Sequence, residues 1–234
     1  ALVALVALAL GVIGSLVSGT KGGWLSMPIL CWVAVDLLER PTYSKRFFML
    51  GSFVILAALV WFFVPFIQAR TNGIVPGLYE YFVNGKVADG SAGIRLALWH
   101  SAALIFLDNP LFGTGPGTFY VEKLAQINAG FIPNVHPELL GPHSQLFNSL
   151  FESGIFGPFL VYSIYGSFIW YCRSHFNKNK ALATAGILMA VGFMDFGLVE
   201  VIWDINNAGV FFTIMMALIA GKLSYDCADA KRQP

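Results

Sequence analysis

Three polar side chains in an otherwise apolar chain have the chemistry to act on an anionic substrate: Lys21, Arg95 and His143. Charge counting places all three at one face of a membrane, the face away from the cytoplasm. Cations and an imidazole are costly near hydrocarbon, so their gathering at one interface indicates a site for an anionic, lipid-borne substrate. The residue types therefore favour an enzyme that acts on lipid-linked sugars.

The two cations have both a functional and a structural interpretation. A guanidinium fork suits phosphate oxygens, and a pair of cations would neutralise a diphosphate. Lys21 can equally snorkel to the headgroups and hold the depth of a helix, and Arg95 can hold an interfacial helix against lipid phosphates. The residue types alone leave both interpretations open.

His143 follows Gly141-Pro142 and is predicted in the first turn of a helix, where the helix dipole disfavours imidazolium. A neutral imidazole can accept a proton from a sugar hydroxyl, as a general base does. The structural alternative is a histidine that only hydrogen-bonds to the preceding loop. His100 and His136 are weaker candidates for the same role.

Several other side chains are candidates to support a substrate. Glu152, well inside the same predicted helix, must be paired or reach water and is expected to orient a basic group or bind substrate. Three carboxylates near the end of the fifth predicted span are interpreted as a solvated rim: Asp195, Glu200 and Asp204. Three tyrosines either stack on sugars or sit in the interfacial belt: Tyr79, Tyr81 and Tyr120. Tyr120 is included among the candidate substrate-binding residues.

Composition predicts an integral membrane protein. Hydrophobic residues make up 57% and charged residues 12% of the 234 residues, with a mean hydropathy of +0.70, values outside those of a soluble domain of this size. Six stretches approach the roughly 20 apolar residues that a spanning helix needs: 1–18, 22–38, 47–66, 145–171, 181–199 and 208–223. The fourth is long enough to tilt or break near Gly157-Pro158. We therefore predict an all-α, polytopic transmembrane helical bundle.

The distribution of basic residues predicts the orientation of this bundle. Nine of the 14 Lys and Arg residues fall on one side, which the positive-inside rule makes cytoplasmic. Three parts follow: residues 1–66 with three spans, a periplasmic loop at 67–142, and residues 143–234 with three spans and a cytoplasmic tail. The first apolar run has no basic segment before it, so it is predicted as a spanning helix with further helices upstream.

The predicted outer loop is long enough to cover a pocket at the membrane surface. It contains one predicted amphipathic helix, at about 93–107, which is too short to cross a bilayer and carries Trp99 as an interfacial anchor. Prolines punctuate the stretch 108–142, where no regular element is predicted. The three cysteines lie outside this loop, so neither a disulfide framework nor a zinc site is predicted.

Three short motifs resemble those of one family. Residues 18–25, SGTKGGWL, resemble the S-x-[ST]-R-G-x-x-L turn of the O-antigen ligase and polymerase superfamily. Residues 95–99 and 108–115, which include PLFGTG, are similar to that family's second arginine and its P-[LI]-x-G-x-G element. Residues 143–157, HSQLFNSLFESGIFG, are similar to its H-[NS]-x-x-L…E-x-G-x-x-G signature. The motifs occur in family order across about residues 15–160.

The resemblance implies a metal-independent, cofactor-free glycosyl transfer at the periplasmic face of the bacterial inner membrane, from an undecaprenyl-diphosphate-linked glycan. Lys21 and Arg95 would hold the diphosphate, and His143 would activate the acceptor hydroxyl. The family usually has arginine where this chain has Lys21, and lysine keeps the charge but loses the bidentate geometry. The expected reaction proceeds with inversion at the anomeric carbon.

Within this family the first expectation is a ligase that transfers O-antigen to lipid A-core, with membrane lipids as further partners and no nucleic acid. The alternatives are a polymerase that extends the lipid-linked glycan and a protein O-oligosaccharyltransferase. A polysaccharide transporter belongs to a different class. It would need ionisable residues near helix midpoints, where this chain has almost none.

Overall fold

The computed structural model describes residues 11, 13–14, 21–87, 91–136 and 138–230, and its ordered elements within these ranges are helices. The first five α-helices are α1 (Lys21–Glu39), α2 (Tyr43–Phe63), α3 (Pro65–Thr71), α4 (Ile74–Asn84) and α5 (Ser91–Asp108). The next five are α6 (Phe119–Asn128), α7 (Gln145–Ser153), α8 (Phe156–Ser174), α9 (Lys180–Phe196) and α10 (Asn206–Ala230). A single 3₁₀ turn, Ile202–Asp204, separates α9 from α10. The all-α prediction is confirmed for the described residues.

The larger hydrophobic core joins α8, α9 and α10. Its fully buried members come from all three helices and include Tyr165, Ala183, Phe212 and Leu223. A Cβ atom added at Gly186 of α9 would lie 2.6 Å from the Cys172 sulfur of α8, so glycine permits this close helix approach. Helix α1 also packs on α9, and its Val33 and Leu37 contact this core.

A second group of helices packs around α5. Its neighbours are α4, α6 and α7, and the buried contacts join Leu98 and Ile105 of α5 to Phe119 of α6 and Phe151 of α7. The rings of Phe119 and Phe151 lie 5.2 Å apart. Helix α7 also packs on α8, so it connects this group to the larger core.

Helix ends follow from proline and glycine positions. Helix α2 ends at Val64, which has an extended backbone because it precedes Pro65. Pro65 then begins α3, where its missing N–H carries no cost. Helix α4 ends at Gly85, whose φ of 62° is the left-handed cap that glycine adopts without strain.

The fourth predicted span, 145–171, is broken into α7 and α8. The break is at Gly154, with φ 59° and ψ −149°, a few residues before the Gly157-Pro158 pair where a break was expected. Pro158 lies in the first turn of α8, where proline is tolerated. Helix α7 has nine residues and at about 1.5 Å per residue is too short to cross a bilayer.

Two helices in the described part of the chain are long and apolar enough to cross a membrane, Tyr43–Phe63 and Asn206–Asp229. They correspond to the third and sixth predicted spans. No residue of α2 is buried, as expected of a helix that faces lipid. The predicted span 1–18 lies largely outside the described residues. The number of passes, the membrane orientation and the three-part division of the chain stay predictions.

The prediction that 108–142 lacks regular structure was wrong, because α6 lies within it. The residues between Pro116 and Pro133 contain no proline, so nothing there forbids a helix. The buried face of α6 is formed by Phe119, Lys123 and Gln126. Two polar residues on this face obscured the amphipathic pattern.

Candidate active site

Arg95 and His143 line the same cavity, which has a volume of about 360 Å³. Arg95 is in the first half of α5, and His143 precedes α7. The remaining lining residues are Ile94, His136, Glu138, Leu139 and Glu200. The fold therefore presents a guanidinium, imidazoles and carboxylates to one small space.

His143 was predicted in the first turn of a helix, and this was wrong: it lies just before the N-cap residue of α7. Ser144 takes the extended conformation of an N-cap residue, so the helix begins at Gln145. His143 itself has a φ of 48°, in the left-handed region that few residues other than glycine adopt. Unfavourable backbone geometry at a cavity-lining histidine is one indication of a functional site.

Glu200 holds the His143 ring. The Nδ1 atom of His143 lies 3.2 Å from Oε1 of Glu200, and both side chains are about one third exposed. Because an ionised carboxylate only accepts, Nδ1 donates this hydrogen bond and Nε2 is left as an acceptor. Glu200 was interpreted as part of a solvated rim, and the structure adds that it pairs with the imidazole of His143.

Backbone hydrogen bonds join the two segments that carry this pair. The N–H of Gln145 donates to the carbonyl oxygens of Gly197 and Glu200, at 2.7 and 3.1 Å. The side chain of Gln145 accepts from the N–H of Trp203 at 3.1 Å. The start of α7 is thus fixed against the turn that follows α9.

Lys123 is hydrogen-bonded to the backbone of two residues that line the cavity. Its side chain is fully buried, and Nζ donates to the carbonyl oxygens of His136 and Leu139 at 3.2 and 2.6 Å. Burial lowers the pKa of Lys123, while the negative charge of Glu138 acts in the opposite direction. A buried cation is tolerated only with such partners, so Lys123 helps to fix the segment that carries His136, Glu138 and Leu139.

Trp99 connects Arg95 to His143. It lies one helical turn after Arg95, and its indole N–H donates to the carbonyl oxygen of Pro142 at 3.0 Å. The indole also stacks on Phe147 of α7, with ring centroids 5.4 Å apart. One helix therefore carries Arg95 and anchors the residue before His143.

The family model described as O-antigen ligase matches residues 5–162, more than half of the 234 residues. This range contains Lys21, Arg95 and His143. The chain belongs to the O-antigen ligase family. Members of the O-antigen ligase family are membrane transferases that act on polysaccharide and lipid-linked substrates.

A protein of Haemophilus influenzae, described as an uncharacterized protein, is 21% identical over 221 residues. The alignment covers 92% of this chain and 55% of that protein. The chain therefore spans about half the length of the curated relative it matches.

The structure explains two of the glycine-rich elements that carry the resemblance to the O-antigen ligase family. Residues 110–115 lie against the C-terminal end of α7. The N–H groups of Thr114 and Gly115 donate to the carbonyl oxygens of Phe151 and Glu152 at 2.8 and 3.0 Å. In the opposite direction, the N–H of Ile155 donates to the carbonyl oxygen of Pro110 at 2.8 Å. The first two bonds satisfy carbonyl groups at the end of α7 that have no partner within the helix.

Glycine is required where these two elements touch. A Cβ atom at Gly113, whose φ is 67°, would lie 2.4 Å from Phe151 O. A Cβ atom at Gly154, whose φ is 59°, would lie 2.3 Å from Leu111 O. Both positions combine a left-handed backbone with backbone contact, so only glycine fits.

Two other predicted site residues, Tyr120 and Glu152, do not line the cavity. Lys21 begins α1, and its side chain lies outside the described part of the chain. Tyr120 does not line the cavity, and its ring lies 5.6 Å from Lys123 Nζ. Glu152 is at the end of α7, where burial raises its pKa, with Asp204 adding to the shift and a hydrogen bond to Asn148 opposing it.

The weaker histidine candidates are divided between two sites. His136 lines the cavity and pairs with Glu138 at 3.2 Å, whereas His100 lies in a neighbouring pocket with Tyr81. Within the described ranges, no group of three or more His, Cys, Asp and Glu side chains is arranged to hold a metal ion.

Proposed function

We propose that the chain is an inverting O-antigen ligase of the bacterial inner membrane. It would transfer an undecaprenyl-diphosphate-linked polysaccharide to a sugar hydroxyl of lipid A-core. The bundle would be multi-pass, with the cavity of Arg95 and His143 facing the periplasm. Support comes from the family match and from the residues that share this cavity.

His143 acts as the general base in this proposal. Its Nδ1 proton is held by Glu200, so Nε2 accepts the proton of the acceptor hydroxyl. The oxygen then attacks the anomeric carbon from the face opposite the diphosphate. The new glycosidic bond forms as the bond between that carbon and the diphosphate oxygen breaks, which inverts the anomeric configuration.

Arg95 stabilises the leaving group. Undecaprenyl diphosphate departs with the bonding electron pair, and the negative charge grows on the phosphate oxygens. A guanidinium held on a helix can pair with two of these oxygens without rearranging during the reaction. Lys21 is the second cation of the proposal, and it supplies charge without the bidentate geometry of arginine.

One observation carries the proposal: Arg95 and His143 line the same cavity, although they come from different elements of the chain. A diphosphate bound by the guanidinium would place its anomeric carbon within the same small space as the imidazole. Interfacial anchoring by Arg95 and loop bonding by His143 are the two structural alternatives from sequence, and neither requires the residues to share a cavity.

The test is a transfer assay with purified protein in detergent, a lipid-diphosphate glycan and lipid A-core. Substituting Arg95→Ala or His143→Ala is expected to lower transfer by at least about 100-fold, the scale of a lost base or charge donor. The matched controls are Arg173→Ala and His175→Ala, at the far end of α8, and both should retain transfer.

Full transfer by either cavity variant, at normal protein level, would refute the assigned roles. The products identify the reaction within the family. Glycan on lipid A-core supports the ligase, whereas longer glycan on the lipid carrier, with none on lipid A-core, identifies a polymerase. Transfer in detergent, where no second compartment exists, excludes a transporter.

A further inference from the structure

A second and larger pocket lies against the face of α5 next to the one that carries Arg95. Its volume is about 670 Å³, within the range of roughly 300–1,000 Å³ that is usual for ligand sites. It is formed by α4, α5, α7 and the segment after α6. Six of its lining residues carry the argument: Tyr81, Leu96, Trp99, His100, Phe131 and Phe147.

The lining combines aromatic rings with one polar pair. Tyr81 Oη and His100 Nδ1 lie 2.9 Å apart, and Phe131 is 68% exposed. The face of an aromatic ring packs against the C–H-rich face of a pyranose, while neighbouring polar groups hydrogen-bond to its hydroxyls. The chemistry of this pocket therefore suits a sugar ring.

The pocket adjoins the cavity of Arg95 and His143. Trp99 forms part of its wall and donates to the carbonyl of Pro142, the residue before His143. Leu96 directly follows Arg95, and Phe147 is on the first turn of α7. A glycan whose reacting end lies in the cavity would reach this pocket with the rings next to that end.

We propose that this pocket binds saccharide rings adjacent to the reacting sugar. The inference rests on the proposed glycosyl transfer and adds a binding site to it. Two glycans can supply the rings, that of the donor and that of the acceptor, and both offer the same chemistry. A polyprenyl chain is a poorer occupant, because the pocket contains a polar pair and neither of the two described candidate spanning helices lines it.

The test measures binding without turnover, using the full chain purified in detergent. The probes are oligosaccharides released by mild acid from the host's lipid-linked polysaccharide and from its lipid A-core, and farnesyl diphosphate as a sugar-free lipid. Saturation-transfer NMR gives the Kd for each. The variants are Phe131→Ala and Tyr81→Phe, and the matched control is Tyr79→Ala, a 58% exposed tyrosine of α4 that does not line the pocket.

Phe131→Ala is expected to raise the Kd of at least one oligosaccharide fivefold or more, and Tyr81→Phe by less. The oligosaccharide affected identifies the donor or the acceptor as the source. Tyr79→Ala should leave the Kd of both oligosaccharides unchanged. The Kd of farnesyl diphosphate should not change in the pocket variants. His143→Ala should bind saccharide normally while losing transfer, so failure of the pocket is distinguishable from failure of the proposed reaction.

Three results would overturn the inference. The first is that Phe131→Ala leaves the Kd of both oligosaccharides unchanged, and the second is that the unaltered protein binds neither oligosaccharide. The third is weaker binding of farnesyl diphosphate alone in Phe131→Ala, which would identify a lipid-chain site.

Discussion

The Nδ1 atom of His143 lies 3.2 Å from Oε1 of Glu200, a residue 57 positions further along the chain. The same carboxylate oxygen accepts a hydrogen bond from the N–H of Val201 at 3.2 Å. Glu200 is therefore held by its own turn while it orients the imidazole. This arrangement determines which ring nitrogen faces a substrate.

Removing the Glu200 carboxylate should impair transfer without changing substrate affinity. Glu200→Ala is expected to lower kcat by about 10- to 100-fold, because the ring loses its fixed tautomer. Glu200→Gln retains an acceptor oxygen and should lose less. The measurement is kcat and KM in the transfer assay across pH, since a purely structural role would not alter the pH profile. Glu138→Gln, in the same cavity, is the matched control, and an equal effect there would contradict a specific role for Glu200.

The positive φ of His143 predicts an unusual order of stabilities. His143→Gly should be more stable than His143→Ala by about 1 kcal/mol, because a left-handed backbone strains alanine but not glycine. Both variants should lack transfer. Thermal unfolding in detergent measures the difference. At His175, where φ is −99°, the glycine variant should have no such advantage, and an advantage at both positions would argue against backbone strain at His143.

Replacing Lys123 should disturb the cavity wall. Lys123→Met fits a similar volume but removes the donor to the carbonyl oxygens of His136 and Leu139. A polar group that is left buried without a partner costs about 1–3 kcal/mol. We expect a lower unfolding midpoint and reduced transfer. Unchanged stability would show that these carbonyl contacts carry little energy. Lys86→Met, a lysine just after α4, is the control for loss of a charge.

Lys123 also predicts a pH dependence of stability. Its pKa is lowered in the folded protein from the ordinary value of 10.5, so the unfolded chain binds more protons between the two pKa values. The free energy of unfolding should therefore rise with pH through that window. Subtracting the curve of Lys123→Met isolates this contribution. A difference that falls with pH would have the wrong sign for a buried lysine.

The contact between residues 110–115 and α7 predicts that Gly113→Ala is strongly destabilising. The added Cβ would meet the backbone at 2.4 Å, and backbone cannot move aside as a flexible side chain can. A loss of several kcal/mol is expected, at the high end for single substitutions. Gly166→Ala of α8 has open space around its Cβ and should be neutral or up to about 1 kcal/mol stabilising. Thermal unfolding separates the two, and similar midpoints would rule out the close contact.

Sequence reasoning succeeded where one local signal was sufficient. Long apolar runs predicted the helices at 22–38 and 181–199 within a few residues, because hydrophobic runs and helix breakers act over neighbouring positions. The helix predicted at 208–223 also forms, but it continues to Ala230. It failed at α6, whose buried face contains Lys123 and Gln126. There the polar groups are satisfied by Ser101 and by loop carbonyls, partners that a local pattern does not reveal.

Composition and motif spacing by themselves determined the helical class, the apolar character and the choice of Arg95 and His143 as candidate residues. Only the tertiary structure decided that these two share a cavity, that Glu200 is the partner of His143, and that Lys123 lies buried beneath the wall. The physical reason is distance along the chain. Each of these relationships depends on helices packing together across many residues, and that packing is the sum of many contacts with no local sequence signal.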